Sequence, residues 1–312
     1  MGARLGHADA GRVVVGPALL AGQRRSSRLH RHVALDRPRA RGRRRDAHQP
    51  RAPGRQAQQV RAARHRARPG HGSLPGGVTR VPTVGITVSL DRGRRIRPGT
   101  EYLYVGRAYA RAVAAAGALP LLVPPDADPA AAAARCDGFV VTGGGMLPVS
   151  LDGVEAPASV GAPEWAERIA WDRRLLDAAA AARRPVLGVC YGMQIMNLHA
   201  GGTLQVDLAA ATPGALDHGG NGRLVEHDVA LREGSRLFAQ LGARARVASS
   251  HRQAVDRVAP GFACTASAPD GVVEAIEPAG GEALLGVEWH PESDATAPAV
   301  YGWLVRSIEE RA

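Results

Sequence analysis

The sequence predicts an α/β protein: an open, mostly parallel sheet with helices on both faces and an antiparallel extension. Three observations lead there. From residue 81 onward, short apolar runs alternate with helix-length segments, the pattern that builds parallel sheets. Proline or glycine clusters such as Pro124-Pro125 and Gly143-Gly144-Gly145 close the early runs. After Asp207 the alternation stops, and short strands follow one another without helices between them.

In order, Pro82–Val88 is expected as the first strand and Tyr102–Ala116 as a helix stopped by Gly117. Leu119–Val123 is a second strand, Pro129–Arg135 an alanine-rich helix, and Gly138–Thr142 a third strand ending at the glycine triplet. Glu164–Ala182 is a long amphipathic helix, and Pro185–Val189 the fourth strand. His227–Leu231, Arg246–Ser249, Ala263–Ser267 and Val272–Ile276 form the antiparallel extension. Leu284–Trp289 returns to the core, and Ala297–Arg311 closes the chain as a helix.

The charge is unevenly distributed. The chain has 40 Arg and no Lys, a usage that points to GC-rich coding and not to a function. Residues 1–80 hold 19 Arg against Asp9, Asp36 and Asp46, whereas the remainder holds 21 Arg against 26 acids. Residues 1–78 are therefore expected to be a disordered Arg-rich segment, too poor in periodic apolar residues to offset its ordering entropy, and residues 79–312 a single domain. A nucleic-acid-binding arm would call for aromatic residues among the arginines, and residues 1–80 contain none, so nucleic acid is not an expected partner. Its few serines make a poor transit peptide. No run of about 18 apolar residues suggests a membrane span. Cys136, Cys190 and Cys264 are an odd set without framework spacing, which suits a cytoplasmic enzyme; Cys136 and Cys264 read as small core residues.

Chemistry concentrates in two short segments. Gly188-Val189-Cys190-Tyr191-Gly192-Met193-Gln194 follows an apolar strand and leads into a helix, the cysteine form of a nucleophile elbow. Its glycines permit a sharp turn, and the helix N-terminus favours a thiolate at Cys190. Gly286-Val287-Glu288-Trp289-His290-Pro291-Glu292 follows a buried strand near the C-terminus. Pro291 biases His290 toward an extended conformation, so Glu292, two residues on, is expected to reach one imidazole nitrogen while the other faces sulfur. Cys190, His290 and Glu292 thus read as nucleophile, base and orienting acid. The glycine triplet has neither P-loop nor dinucleotide-fingerprint spacing; taken with Cys190 it suggests an oxyanion hole. His199, His218 and His227 lack i,i+4 or Cys-x-x-Cys companions and read as structural or surface histidines, so no metal is expected.

Together the two motifs resemble the class I glutamine amidotransferase family, with its G-x-C-x-G-x-Q elbow and late H-P-E. Within it, Ser249-Ser250-His251-Arg252-Gln253-Ala254-Val255 and Gly201–Leu208, with His227-x-Val229, resemble the γ-glutamyl-γ-aminobutyrate hydrolase branch, peptidase family C26. The resemblance runs from about Val81 to the end. It implies a flavodoxin-like sheet, oxyanion donors at Gly144 and the Tyr191 amide, and substrate contacts from Gln194, Ser250 and His251. It also implies hydrolysis of a small γ-glutamyl amide without a cofactor, in polyamine catabolism, and is compatible with a homo-oligomer. Departures at Tyr191, Met146, Trp171, Ala248 and Arg252 bear on which amine leaves. Tyr191 makes the elbow more like the glutaminase domain of GMP synthetase, so a glutaminase subunit serving a separate synthase is the alternative enzyme. A non-enzymatic binding protein using the basic arm is the alternative of another class.

Overall fold

A computed structural model of the chain describes residues 80–94, 96–148, 151, 163–211, 214 and 216–311. The chain divides into two units, Met1–His71 and Gly72–Ala312, and every described residue belongs to the second. The Arg-rich segment expected over 1–78 lies outside the described residues. Among the described residues no helix is long and apolar enough to cross a membrane.

The order of elements follows the predicted alternation closely. Strand β1 (Thr83–Thr87) leads into a hairpin of β2 (Ser89–Arg92) and β3 (Glu101–Tyr104), then helix α1 (Arg107–Ala115). Strand β4 (Leu119–Val123), helix α2 (Pro129–Arg135), strand β5 (Gly138–Val141), helix α3 (Pro163–Ala181) and strand β6 (Val186–Val189) come next. Helix α4 (Tyr191–His199) starts directly after Cys190. Short elements β7 (Leu204–Gln205) and α5 (Leu208–Ala211) precede β8 (Val225–Leu231), α6 (Phe238–Leu241), β9 (Arg244–Ser249), β10 (Ala254–Val255), β11 (Phe262–Ser267) and β12 (Val273–Pro278). Strand β13 (Leu284–Val287), a 3-10 turn at Pro291–Ser293 and helix α7 (Ala297–Glu309) complete the unit.

Two expectations are corrected. A short helix, α6, separates β8 from β9, where strands alone were expected. The helix expected over Tyr102–Ala116 begins only at Arg107, because Tyr102 to Tyr104 alternate along β3 and pair antiparallel with Ser89 to Asp91. Both Asp91 carboxylate oxygens hold the turn between the strands, accepting from the Arg94 and Ile96 amides at 3.0 and 2.7 Å.

Among the described residues the main sheet has nine strands in the order β4-β1-β5-β6-β13-β12-β11-β8-β9. The first five are parallel, in the 2-1-3-4-5 order of flavodoxin-like sheets. The remaining four add antiparallel to β13, the expected extension. Alternate residues of the parallel strands feed two cores. Val84, Ile86, Val140, Leu187 and Val287 pack with residues of α1 and α7, including Val113, Val300 and Leu304. Phe139, Val141 and Val186 pack with residues of α2, α3 and α4, including Ala133, Leu175 and Ile195. Burial on both faces explains the continuous apolar runs of β1, β5, β6 and β13, whereas edge strand β4 leaves Leu119, Leu121 and Leu122 exposed. It also fixes which strand ends stand side by side: the C-terminal ends of β5, β6 and β13 open onto one edge.

Candidate active site

Cys190 lies where β6 ends and α4 begins, with φ 51° and ψ −109°, a conformation L-residues rarely adopt. Close packing forces the turn. A Cβ on Gly192 would lie 2.0 Å from the Val141 carbonyl oxygen, and one on Gly188 would lie 2.6 Å from the Gly192 backbone. Only glycines allow the helix to start so near β5. The Cys190 amide donates to Val287 O at 2.8 Å, locking the elbow to the strand that delivers His290.

His290 is held from both sides. Its amide donates to Ala248 O at 2.7 Å, and its Nδ1 lies 2.8 Å from Glu292 Oε1. Glu292 does not arrive along an extended strand, as the sequence suggested: Pro291 starts a 3-10 turn, and that turn swings the carboxylate back to the ring. The imidazole and Cys190 meet beside the glycine loop: a Cβ on Gly143 would lie 3.1 Å from His290 Cε1 and 4.0 Å from Cys190 Cβ. Burial disfavours the charged ring, but the interactions with Cys190 and Glu292 outweigh it and hold its pKa well above the usual histidine range. Cys190 and the distant pair His290 and Glu292 are therefore one group.

A cavity of about 670 Å³ opens over this group, lined among others by Gly144, Gln194, Ser250, His251 and Arg252. Larger, at about 870 Å³, is a cavity against Arg80, Asp137, Arg184 and Ile308, which contains none of the triad. Every residue singled out from the sequence for the site sits at the smaller one, except Tyr191 and Glu292, which lie behind it. Gln194 is buried, its Nε2 donating to Gln253 O at 3.2 Å and Glu288 Oε1 at 2.5 Å. His251 lends its ring to the wall, but its nitrogens point into the protein: Nδ1 lies 2.8 Å from Gln253 O, and Nε2 lies 3.6 Å from Glu274 Oε1. Within the glycine loop, the Gly143 amide donates to the Tyr109 hydroxyl at 3.0 Å, while Gly144 faces the cavity.

Three residues beside the site were not singled out from the sequence. Arg168, fully buried on α3, donates to the carbonyls of Thr142 and Gly143 at 2.8 and 3.1 Å, to Ser89 Oγ at 2.6 Å and to Asp172 Oδ2 at 3.2 Å. Its guanidinium stacks on the Tyr191 ring, 4.2 Å from the centroid. It pins the glycine loop to the elbow; the Arg168/Asp172 i,i+4 spacing was its signal in the sequence. Glu288 is buried two residues before His290. Burial, then the proximity of Cys190 and Glu274, push its carboxyl well above the usual range, toward the neutral acid. Glu274 has no readable local signal.

The other histidines and cysteines divide clearly. His199 pairs at the surface with Asp177 at 2.9 Å. His218 and His227, expected as isolated structural or surface residues, are buried beside His251 and Glu274. Burial raises both the Cys136 and Cys264 thiols; Cys136 is a core sulfur as expected, but Cys264, also expected in the core, is only half-buried.

Comparison with known proteins agrees with this architecture. The sequence pattern of the peptidase C26 family matches residues 82–292. A protein of Mycobacterium tuberculosis, provisionally named a glutamine amidotransferase, is 34% identical over 218 residues, 68% of this chain and 70% of that one. The γ-glutamyl-γ-aminobutyrate hydrolase of Escherichia coli is 33% identical over 135 residues, 40% of this chain and 53% of the relative. Among solved structures, a Thermoplasma acidophilum protein, provisionally described as one component of a GMP synthase, superimposes with a TM-score of 0.54. It is 16% identical and covers 74% of this chain and 96% of its own, a likeness of fold.

Proposed function

This chain belongs to the peptidase C26 family of glutamine-amidotransferase-like hydrolases, and we propose that it cleaves the γ-glutamyl amide bond of a γ-glutamyl-amine, releasing glutamate and the free amine. The observation that carries this reading is the His290 imidazole, paired with the Glu292 carboxylate and set beside the Cys190 sulfur beneath an open cavity.

In the proposed reaction the Cys190 sulfur attacks the γ-carbonyl carbon, while the amides of Gly144 and Tyr191 hold the oxyanion. His290, whose pKa is held up beside Cys190 and Glu292, gives its proton to the departing amine as the C–N bond breaks and a thioester forms. It then takes a proton from water, which attacks the thioester and frees glutamate and the sulfur. Glu292 fixes the tautomer and orientation of the ring. Ser250 and the His251 ring are walls for the substrate. Gln194 would meet it through its carbonyl oxygen, since its amide nitrogen is engaged with Gln253 and Glu288.

The test is mass spectrometry of products from purified protein incubated with glutamine and a panel of γ-glutamyl-amines. Glutamate with one preferred amine supports the proposal; no cleavage of any member, or equal cleavage by Cys190→Ala, refutes it. The Tyr191 elbow favours one competing reading, a glutaminase subunit, which predicts turnover only with a synthase present. Removing residues 1–78 should leave amidase activity intact.

A further inference from the structure

We propose that His218, His227, His251 and Glu274 form a closed, structural site for a divalent transition metal of the zinc class, next to the substrate cavity but separate from the triad. Four segments meet there: the loop around His218, strand β8 with His227, the turn after β9 with His251, and strand β12 with Glu274. All four side chains are buried, and one potential ligand atom from each lies within 4.8 Å of all the others.

Three nitrogens converge on one oxygen. Glu274 Oε1 lies 3.2 Å from His218 Nδ1, 3.4 Å from His227 Nε2 and 3.6 Å from His251 Nε2. A tetrahedral zinc ion with metal–ligand bonds of about 2.0–2.1 Å separates its ligands by roughly 3.3 Å. The three distances to Glu274 already match that edge, and the ligand atoms, all within 4.8 Å of one another, need only draw together around an ion.

The opposite side of each ring decides which atom carries hydrogen. His227 Nδ1 lies 3.2 Å from Asp228 O, and His251 Nδ1 lies 2.8 Å from Gln253 O. A carbonyl oxygen only accepts, so both Nδ1 atoms must donate. In the neutral rings both Nε2 atoms then present lone pairs to a carboxylate. His218 Nε2 lies 2.9 Å from Asp270 Oδ2, the carboxylate–histidine arrangement that orients a metal-binding ring. Accordingly, His218 Nδ1, His227 Nε2, His251 Nε2 and both Glu274 oxygens are buried without a hydrogen bond of sound geometry.

Lone pairs facing lone pairs in the interior need a cation among them. A single extra proton on His218 would satisfy that ring alone and leave the other two nitrogens against the carboxylate. One divalent ion satisfies all four ligands. Three imidazoles and one carboxylate suit zinc or a neighbouring first-row metal, and four protein ligands leave no open position for catalysis. The ion would tie the loop carrying Gly220 and Asn221 and the turn carrying Ser250 to Gln253, both of them cavity walls, to the sheet.

The test uses the full chain bearing Cys190→Ala, so that the nucleophile cannot bind the probe. Protein stripped by chelator is reloaded with Zn²⁺, dialysed and assayed by mass spectrometry for metal; about one ion per chain is expected. Loading with Co²⁺ should give the intense visible bands of a tetrahedral site without thiolate charge transfer. Added to the same background, Glu274→Gln or His227→Gln should abolish retention, while His199→Ala, at the surface pair with Asp177, should leave it whole. Less than roughly 0.1 ion per chain in folded, reloaded protein overturns the site. So does retention unchanged by Glu274→Gln and His227→Gln. Should those two variants fail to fold, the cobalt spectrum of the Cys190→Ala protein decides: octahedral or absent bands overturn the proposal.

Discussion

In the parallel half of the sheet, Cys190, His290 and the Gly143–Gly144 loop stand just beyond the ends of three adjacent strands, β6, β13 and β5. In the antiparallel extension, His227 and Glu274 lie within strands β8 and β12, and His218 and His251 join them from loops. Parallel strands deliver their C-terminal ends to a common edge, so groups placed at strand exits gather there and remain open to a ligand. Antiparallel strands run both ways and gather side chains within the sheet's own cover, out of solvent. The first arrangement suits turnover and the second suits holding an ion. Substitutions in the first should therefore change rate before stability, and in the second stability before rate.

The sharpest way to break that contrast is Cys190→Ala. It removes the sulfur but no large apolar contact, and it relieves nothing that the fold depends on. Turnover of the preferred γ-glutamyl-amine should fall by roughly 10⁴-fold or more, with the thermal midpoint unchanged or raised. A residual rate within tenfold of wild type would remove the parallel edge from the chemistry.

Glu292→Gln tests the same edge through charge. The amide should lower kcat by about 10²- to 10⁴-fold. The sign of its pH effect follows from the raised His290 pKa. The imidazolium persists from low pH up to that raised value, and the basic limb of the rate profile marks where it loses its proton. The stability contributed by the charged ring is likewise complete below the ordinary histidine pKa and is lost as pH rises through the raised one. Without the Glu292 charge the ring releases its proton sooner, so the basic limb should move to lower pH. A pH–rate profile with an unmoved limb would mean Glu292 does not act on His290.

Arg168→Met sharpens the contrast from the opposite side, because here the parallel half should lose stability. The guanidinium holds two carbonyls of the glycine loop and neutralises buried Asp172. Removing one partner of a buried pair costs about 3–5 kcal/mol. Denaturant titration should show that loss, and kcat should fall with it as the Gly144 amide drifts from the oxyanion position.

These residues also show how far the sequence could be read. Strands β1, β4, β5 and β6 and helix α2 were legible because turn residues bracket their apolar runs. Tyr102 to Tyr104 was not, because a hairpin strand depends on its partner, here Ser89 to Asp91, and on the Asp91 contacts with the turn amides. Cys190, His290 and Glu292 were legible because each sits in a short motif whose glycines or proline have a local backbone purpose. Even so, Glu292 reaches its histidine through a 3-10 turn rather than along a strand. Arg168 and Glu274 act only through packing with distant segments. His218 and His227 looked isolated because their companions are far along the chain and carry no fixed spacing.

The smallest effect should come from Glu288→Gln, and its smallness is informative. Glu288 lies nearly under the nucleophile, and a charged carboxylate there would repel a developing thiolate and weaken the His290 proton's hold on sulfur. Burial and the neighbouring Cys190 and Glu274 instead push its pKa well up, toward the neutral acid. Glutamine has the same shape and the same absence of charge. It also keeps a carbonyl oxygen to accept from Gln194 Nε2, at 2.5 Å in the native protein. The value of kcat should thus stay within about threefold of wild type, and the pH profile should keep its limbs. Glu288→Ala, which opens a cavity and leaves the Gln194 amide without that acceptor, should cost about 1–3 kcal/mol of stability. A large rate loss in Glu288→Gln alone would mean the carboxyl proton itself takes part in turnover, and the division of labour between strand exits and sheet interior would then have to include a third, buried acid.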